Sequence, residues 1–163
     1  MPPSLREFSD KPVSHQLVEM KPGMKNLDVK VIILTRDAPK ELKNKEFLVQ
    51  CVVADQSAMI NCNFYGEAGK ELHPGDIVFL MSSYTSLYKD KMVLYQSSRG
   101  GLYRLRDFFF VHGVGTPNMS EIEWIHEKDN KGKDVYKLRN SEQSKNLQNQ
   151  SAPAAVKQQT NKD

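Results

Sequence analysis

The chain has little of what most enzymes and secreted domains are built from. Cysteine occurs twice in 163 residues, at Cys51 and Cys62. Neither belongs to a Cys-x-x-Cys pair and neither has a histidine at zinc-ligand spacing. That speaks against a zinc ribbon or a disulfide framework and for two small buried residues in a reducing compartment. The four histidines, His15, His73, His112 and His126, are scattered. No Ser/His/acid or Cys/His grouping surrounds them, and no glycine-rich phosphate loop is present. An enzyme is therefore not expected, nor a cofactor, nor a metal. No apolar run approaches the roughly 20 residues that span a bilayer. The opening "MPPSLREFSD" lacks the apolar segment of a signal peptide, which points to a soluble intracellular protein.

A strong charge of one sign is also missing. The formal net charge is +3, with 26% charged and 39% hydrophobic residues, ordinary values for a globular chain carrying a polar tail. Most of the acids read as solvated charge, Asp55 and Asp76 among them at turns. The excess of positive charge is local. Between Tyr84 and Arg106 stand Lys89, Lys91, Arg99, Arg104 and Arg106 against the single acid Asp90.

What is present is a series of strand-like segments. Residues 1–20 mix Pro, Ser and charges without a period and read as a flexible leader. "KPGMKN" is turn chemistry. "LDVKVIILTR", "EFLVQCVVAD" and "MINCNFY" read as three strands, the last with Ile60, Cys62 and Phe64 on one face and Asn61, Asn63 and Tyr65 on the other. A short helical stretch, "GEAGKEL", ends at "HPGD". "IVFLMSSYTSLY" and "KMVLYQS" supply two more strands, and "LYRLRDFFFVHGVG" one further extended segment. Three strands, a short helix and two strands is the order of a five-stranded all-β OB-fold barrel with its helix between the third and fourth strands. The barrel is assigned to residues 21–117 as a nucleic-acid-binding domain, followed by a partly ordered extension over 118–140. The Gln/Asn/Ser/Lys-rich stretch 141–163 reads as a disordered polar tail.

The segment "SSYTSLYKDKMVLYQSSRGG" carries the functional signal. With Lys89-Asp90 at the centre of a two-residue turn, paired residue numbers sum to 179. Tyr84, Ser86, Tyr88, Lys91, Val93 and Tyr95 then share one face. Thr85, Leu87, Met92 and Leu94 share the opposite one, which is the natural core face. A cross-strand tyrosine cluster serving stability alone would look similar. Against that, the opposite face already supplies the core, lysine accompanies the rings, and Arg99, Arg104 and Arg106 follow. Exposed rings among cations suit a single-stranded nucleic acid, whose bases stack while Lys and Arg track the phosphates. Asn61, Asn63 and Tyr65 extend that face. Stacking is indifferent to the sugar, so RNA stands beside DNA as a ligand, and an OB subunit that holds protein partners stands as a third reading.

"KPGMKNLDVKVIIL", "CVVADQSAMINCNFY", "LHPGDIVFLMSSYTSLYKDKMVLYQSSRGG" and "GVGTPNMSE" together resemble the family of eukaryotic OB-fold subunits that bind single-stranded DNA in the sensor-of-single-stranded-DNA (SOSS) complex. The resemblance runs over roughly residues 20 to 121. It implies a single OB fold with a disordered tail, acting in the nucleus in DNA-damage repair without cofactor, beside a scaffold subunit shared with the Integrator complex. It places stacking aromatics at Tyr65, Tyr84, Tyr88 and Tyr95, and cationic backbone contacts at Lys89, Arg99 and Arg104. The chain departs from that family in Tyr65, where Trp is usual, in one extra residue before Arg99, in a short Gln/Asn-rich tail and in a longer leader. By the same resemblance "FFFV" (108–111), "EIEWIHE" (121–127) and "GVGTPNMSE" are expected to form a scaffold-binding surface with Trp124 exposed. The alternative for Phe108–Val111 is that it closes the core.

Overall fold

The computed structural model describes residues 6–7, 12–105 and 116–139. Ten strands are defined there: β1 (Arg6–Glu7), β2 (Leu27–Arg36), β3 (Lys40–Glu41), β4 (Phe47–Ala54), β5 (Met59–Tyr65), β6 (Ile77–Tyr88), β7 (Lys91–Tyr95), β8 (Gly101–Leu105), β9 (Trp124–Lys128) and β10 (Asp134–Leu138). The helix α1 (Gly66–Lys70) lies between β5 and β6. Strands β2, β4, β5, β7 and β6 pair in that order, and β6 pairs back to β2, closing a five-stranded ring. The β5–β7 pairing is parallel; the other four are antiparallel. This is an OB-fold barrel, with its helix where the sequence pattern places it. Outside the ring, β3 pairs with β4, β8 with β6, and β9 with β10.

Alternation along each strand fills the barrel. Val29, Val31 and Ile33 of β2, Ile60, Cys62 and Phe64 of β5, and Met92 and Leu94 of β7 are buried in one cluster. Cys51 and Cys62 sit directly opposite each other, both as free thiols. Burial pushes the Cys51 thiol up to about 11 and Cys62 well above its ordinary value, so neither is a reactive thiolate at neutral pH.

Strand β6 serves two neighbours and changes phase between them. Its first half pairs with β8 from Ile77 to Met81, and its second half with β7 from Tyr84 to Tyr88. Val78 and Leu80 point into the core before the change, and Ser83 and Thr85 are buried after it. The register against β2 shifts between Leu27↔Ser83 and Val29↔Leu80, which sets Met81 and Ser82 together opposite Asp28 as a β-bulge. Ser82 has φ 55°, and its N–H donates to Asp28 Oδ1 at 2.9 Å. Gly100 presses on the same place: a Cβ there would lie 1.8 Å from the Met81 carbonyl oxygen.

One end of the barrel is closed by segments read differently from the sequence. The stretch taken as a flexible leader ends in a 3-10 turn, Leu17–Glu19, with Leu17 and Met20 in the core. Asp55, read as a solvated turn acid, is buried at 8% exposure. Its carboxylate accepts from the N–H groups of Leu17, Ser57 and Ala58 and from the Ser57 hydroxyl, so it ties this leader to the β4–β5 turn. At the same end a 3-10 turn, Met119–Glu121, docks against β5 and β7. The Ser120 hydroxyl donates to the Met92 carbonyl at 2.6 Å and accepts from Asn61 N–H at 2.8 Å.

Trp124 is corrected by the structure. It is 5% exposed and packs in the core with Met119 and Ile122, so it is not a free partner surface; only Ile125 of "EIEWIHE" is an exposed large apolar residue. The reason is placement: the hairpin β9–β10 docks its Trp124/Leu138 end against the barrel. "FFFV", Arg106, the first part of "GVGTPNMSE" and the tail 141–163 lie outside the described residues. Among the described residues no helix is long and apolar enough to cross a membrane.

Gly100→Ala is expected to lower stability by about 1–3 kcal/mol, because an added methyl overlaps a backbone oxygen that the bulge holds in place. A denaturant titration against wild type checks this; an unchanged midpoint would show that the loop simply moves away.

Candidate nucleic-acid interface

The hairpin β6–β7 turns on Lys89 and Asp90, with φ 50° and 65°. Two consecutive left-handed residues make a type I′ turn, whose twist matches that of the flanking strands. The register follows: Tyr84↔Tyr95, Ser86↔Val93 and Tyr88↔Lys91. Thr85, Met92 and Leu94 are buried, and Leu87 packs partly buried against the core. Tyr84 and Tyr88 are 36% and 59% exposed.

Pairing with β5 and β4 widens this face. Asn63 lies beside Tyr95 across the parallel pair and opposite Gln50 across the antiparallel one. One row therefore crosses four strands: Gln50, Asn63, Tyr95, Tyr84. A second row is Val52, Asn61, Val93 and Ser86. Tyr65 stands at the end of β5, opposite Leu48, and its N–H donates to the Gln96 side chain at 3.1 Å. Gln50 was not singled out from the sequence. Its signal was available, since it lies opposite Asn63 once β4 and β5 are paired through the Asp55 turn. Val93, expected on the open face, is 7% exposed, so that row is closed at its centre.

The rings are close enough to affect one another. Tyr84 and Tyr95 stack with centroids 5.2 Å apart and planes 11° from parallel. Burial is the main cause that raises the phenols of Tyr65 and Tyr95 above their ordinary value. For Tyr65 a hydrogen bond with Asn63 opposes it. For Tyr95 the neighbouring Tyr65, Tyr84 and Tyr88 add to it. Tyr88 lies at the far end of β6, with Lys89 Nζ 5.4 Å from its ring centroid.

The cations divide into two groups. Lys89 sits in the turn and Lys91 follows it, and Arg99 is exposed on the loop after β7. A groove of about 480 Å³ opens between Glu46, Tyr65, the start of α1 and residues 96–98 and 100–103. Arg104 belongs elsewhere and is not brought to the tyrosines. It pairs with Val78 on the first half of β6, and its guanidinium donates to the Glu71 carbonyl at 2.8 Å and to Asp76 at 3.1 Å. Arg36 donates to the Lys70 carbonyl at 2.9 Å. The two arginines thus complete the C-terminal carbonyls of α1, and Asp76 is an ion-pair partner rather than a free charge.

This arrangement offers flat rings, amides and a cationic rim, the means of holding unpaired bases and their phosphates. Among the described residues no group of three His, Cys, Asp or Glu side chains could hold a metal ion.

No family model matches the chain. Similar solved structures include a hypothetical protein from Arabidopsis thaliana, at 18% identity and a TM-score of 0.59, with 75% of this chain and 92% of that one covered. They also include the replication factor A related protein from Methanobacterium thermoautotrophicum, at 13% identity and a TM-score of 0.47, with 56% and 90% covered. The first likeness, at its low identity, speaks to the fold alone.

Two expectations follow from the ring geometry. Tyr88→Ala should leave stability unchanged, since the ring is exposed at the end of its strand, whereas Tyr84→Ala removes the partner of Tyr95 and should cost about 0.5–1.5 kcal/mol. Thermal melts of both variants decide between them. The raised phenols of Tyr65 and Tyr95 mean that the folded state holds those protons more tightly than the unfolded chain. Their contribution to stability is therefore complete below the ordinary tyrosine value of 10.0 and is lost as pH rises through the folded values. Tyr65→Phe/Tyr95→Phe should flatten the alkaline fall in melting temperature; an unchanged fall would place its cause elsewhere.

Proposed function

We propose that this protein is a non-catalytic single-stranded DNA-binding protein that stacks bases on Tyr65, Tyr84, Tyr88 and Tyr95. The observation that carries the reading is one outward face on which three strands of a closed barrel bring four tyrosines together, beside Asn61 and Asn63. Lys89, Lys91 and Arg99 stand at the rim as phosphate contacts. The Tyr84–Tyr95 stack leaves one face of each ring for a base, while Tyr88 is unstacked by any aromatic among the described residues. Tyr88 is therefore the foremost single platform. In the cell such a protein traps exposed strand and recruits repair factors in the nucleus, beside the scaffold that the resemblance to the DNA-binding subunits of the SOSS complex implies. RNA is the alternative ligand, because the rings do not read the sugar.

The test is titration of single-stranded DNA, duplex DNA and RNA of equal length over a salt series. Single strands should bind much more tightly than duplex, whose bases are not available for stacking. Equal affinity for single strand and duplex at physiological salt would reduce the face to a generic basic patch. Tyr88→Ala should weaken single-strand binding by about 1–3 kcal/mol with the salt slope unchanged, and Lys89→Ala should lower the slope by about 0.7. A folded Tyr88→Ala variant with wild-type affinity would overturn the stacking assignment.

A further inference from the structure

The hairpin β9–β10 is not part of the five-stranded ring, yet it is fastened to the turn that carries the tyrosine face. Trp124 N–H donates to the Asp90 carbonyl at 2.9 Å. Arg139 bridges the Asp90 carboxylate at 2.8 Å and Glu123 at 3.1 Å. Lys91 and Glu123 form an isolated antiparallel bridge. At the hairpin's base Trp124 is buried and Leu138 packs against the core, and further along Tyr136 covers Gly23, where a Cβ would lie 2.9 Å from its ring.

Every carboxylate of the hairpin is already engaged. Glu123 holds Arg139, Glu127 holds Lys137 at 2.9 Å, and Asp134 holds His126 at 2.9 Å. Asp129 accepts from the N–H groups of Lys131 and Lys133 at 2.8 and 2.9 Å. The tip therefore leaves Lys128, Lys131 and Lys133 exposed, with no ion-pair partner among the described residues. The turn itself is well made: Asp129 N–H donates to the Lys133 carbonyl, Gly132 N–H to the Asp129 carbonyl, and Gly132 has φ 75°. Three exposed ammonium groups without a salt bridge among the described residues are thus carried on one ordered turn, beside the Asp129 carboxylate and with Asp134 across the strand pair from Lys128.

We infer that the β9–β10 tip is a second contact for the sugar-phosphate backbone, taking up the strand beyond the nucleotides stacked on the tyrosine face. The inference rests on the single-strand reading above and extends it from the barrel to an appended element. A polyanion that meets these lysines releases its own counterions, so each lysine that meets a phosphate adds to the salt dependence. The tip contributes through charge alone, since it presents no aromatic residue, and so has no base preference.

The test is the Lys128→Gln/Lys131→Gln/Lys133→Gln variant, titrated with single-stranded oligonucleotides of about 8 and about 24 nucleotides, lengths within and beyond the usual reach of one OB fold. With the long oligonucleotide, affinity at low salt should fall by about tenfold and the slope of log K against log salt should shrink by about 2, that is, about 0.7 for each of three contacts. With the short one, both should match wild type. Wild-type behaviour on the long oligonucleotide would overturn the proposal, and so would an equal loss on both lengths, which would mark the lysines as a diffuse field. If the wild-type protein bound neither oligonucleotide, the tyrosine reading itself would fail, a result distinct from either.

Discussion

The β-bulge at Met81–Ser82 is the constraint on which the functional face depends. In a regular strand, Tyr84 and Tyr88 would continue the inward phase of Val78 and Leu80 and point into the barrel. One extra residue opposite Asp28 reverses the alternation, so Ser83 and Thr85 turn inward and the tyrosines outward. The left-handed Ser82 is held by the Asp28 carboxylate, and the bare Cα of Gly100 allows the β7–β8 loop to approach the Met81 carbonyl. Three residues from distant parts of the chain therefore hold the geometry that exposes the rings.

Inward-facing hydroxyls are a consequence of the same reversal. Ser83 and Thr85 occupy core positions, and both are satisfied. The Ser83 hydroxyl donates to the Leu27 carbonyl at 2.7 Å, and that of Thr85 to the Lys21 carbonyl at 2.6 Å while accepting from Met24 N–H. Gly23 N–H and the Met24 carbonyl bond the Thr85 backbone. The "KPGM" turn thus occupies the side of β6 opposite β7, where a free strand edge would otherwise be left.

Much of this was legible because it is local. The Lys89-Asp90 turn and period-two alternation placed the tyrosines by counting outward from the turn, which never crosses the bulge. Counting from Ile77 would have reversed the result, and nothing in "LMSSY" announces an extra residue. The barrel and its helix were legible from element order. What could not be read was long-range docking. Trp124 alternates as it would in any surface strand and is buried only because its hairpin packs on the barrel end. Arg104 follows the tyrosine hairpin in sequence, but β8 carries it to the α1 end. Leu17 and Met20 stand three apart in a single turn, too short to show a period.

The Ser120 hydroxyl, set between Asn61 N–H and the Met92 carbonyl, has a bearing on the order in which the protein is made. The parallel β5–β7 seam receives its clasp from a residue that follows β7 by more than twenty positions in the chain. During synthesis the five strands can collapse as soon as Tyr95 has left the ribosome, but one end of the seam stays unsealed until the Met119–Glu121 turn arrives. In that interval an amide, a carbonyl and the apolar barrel end beside them face water. Until that turn is made, this end of the seam is where strand mispairing would be least opposed.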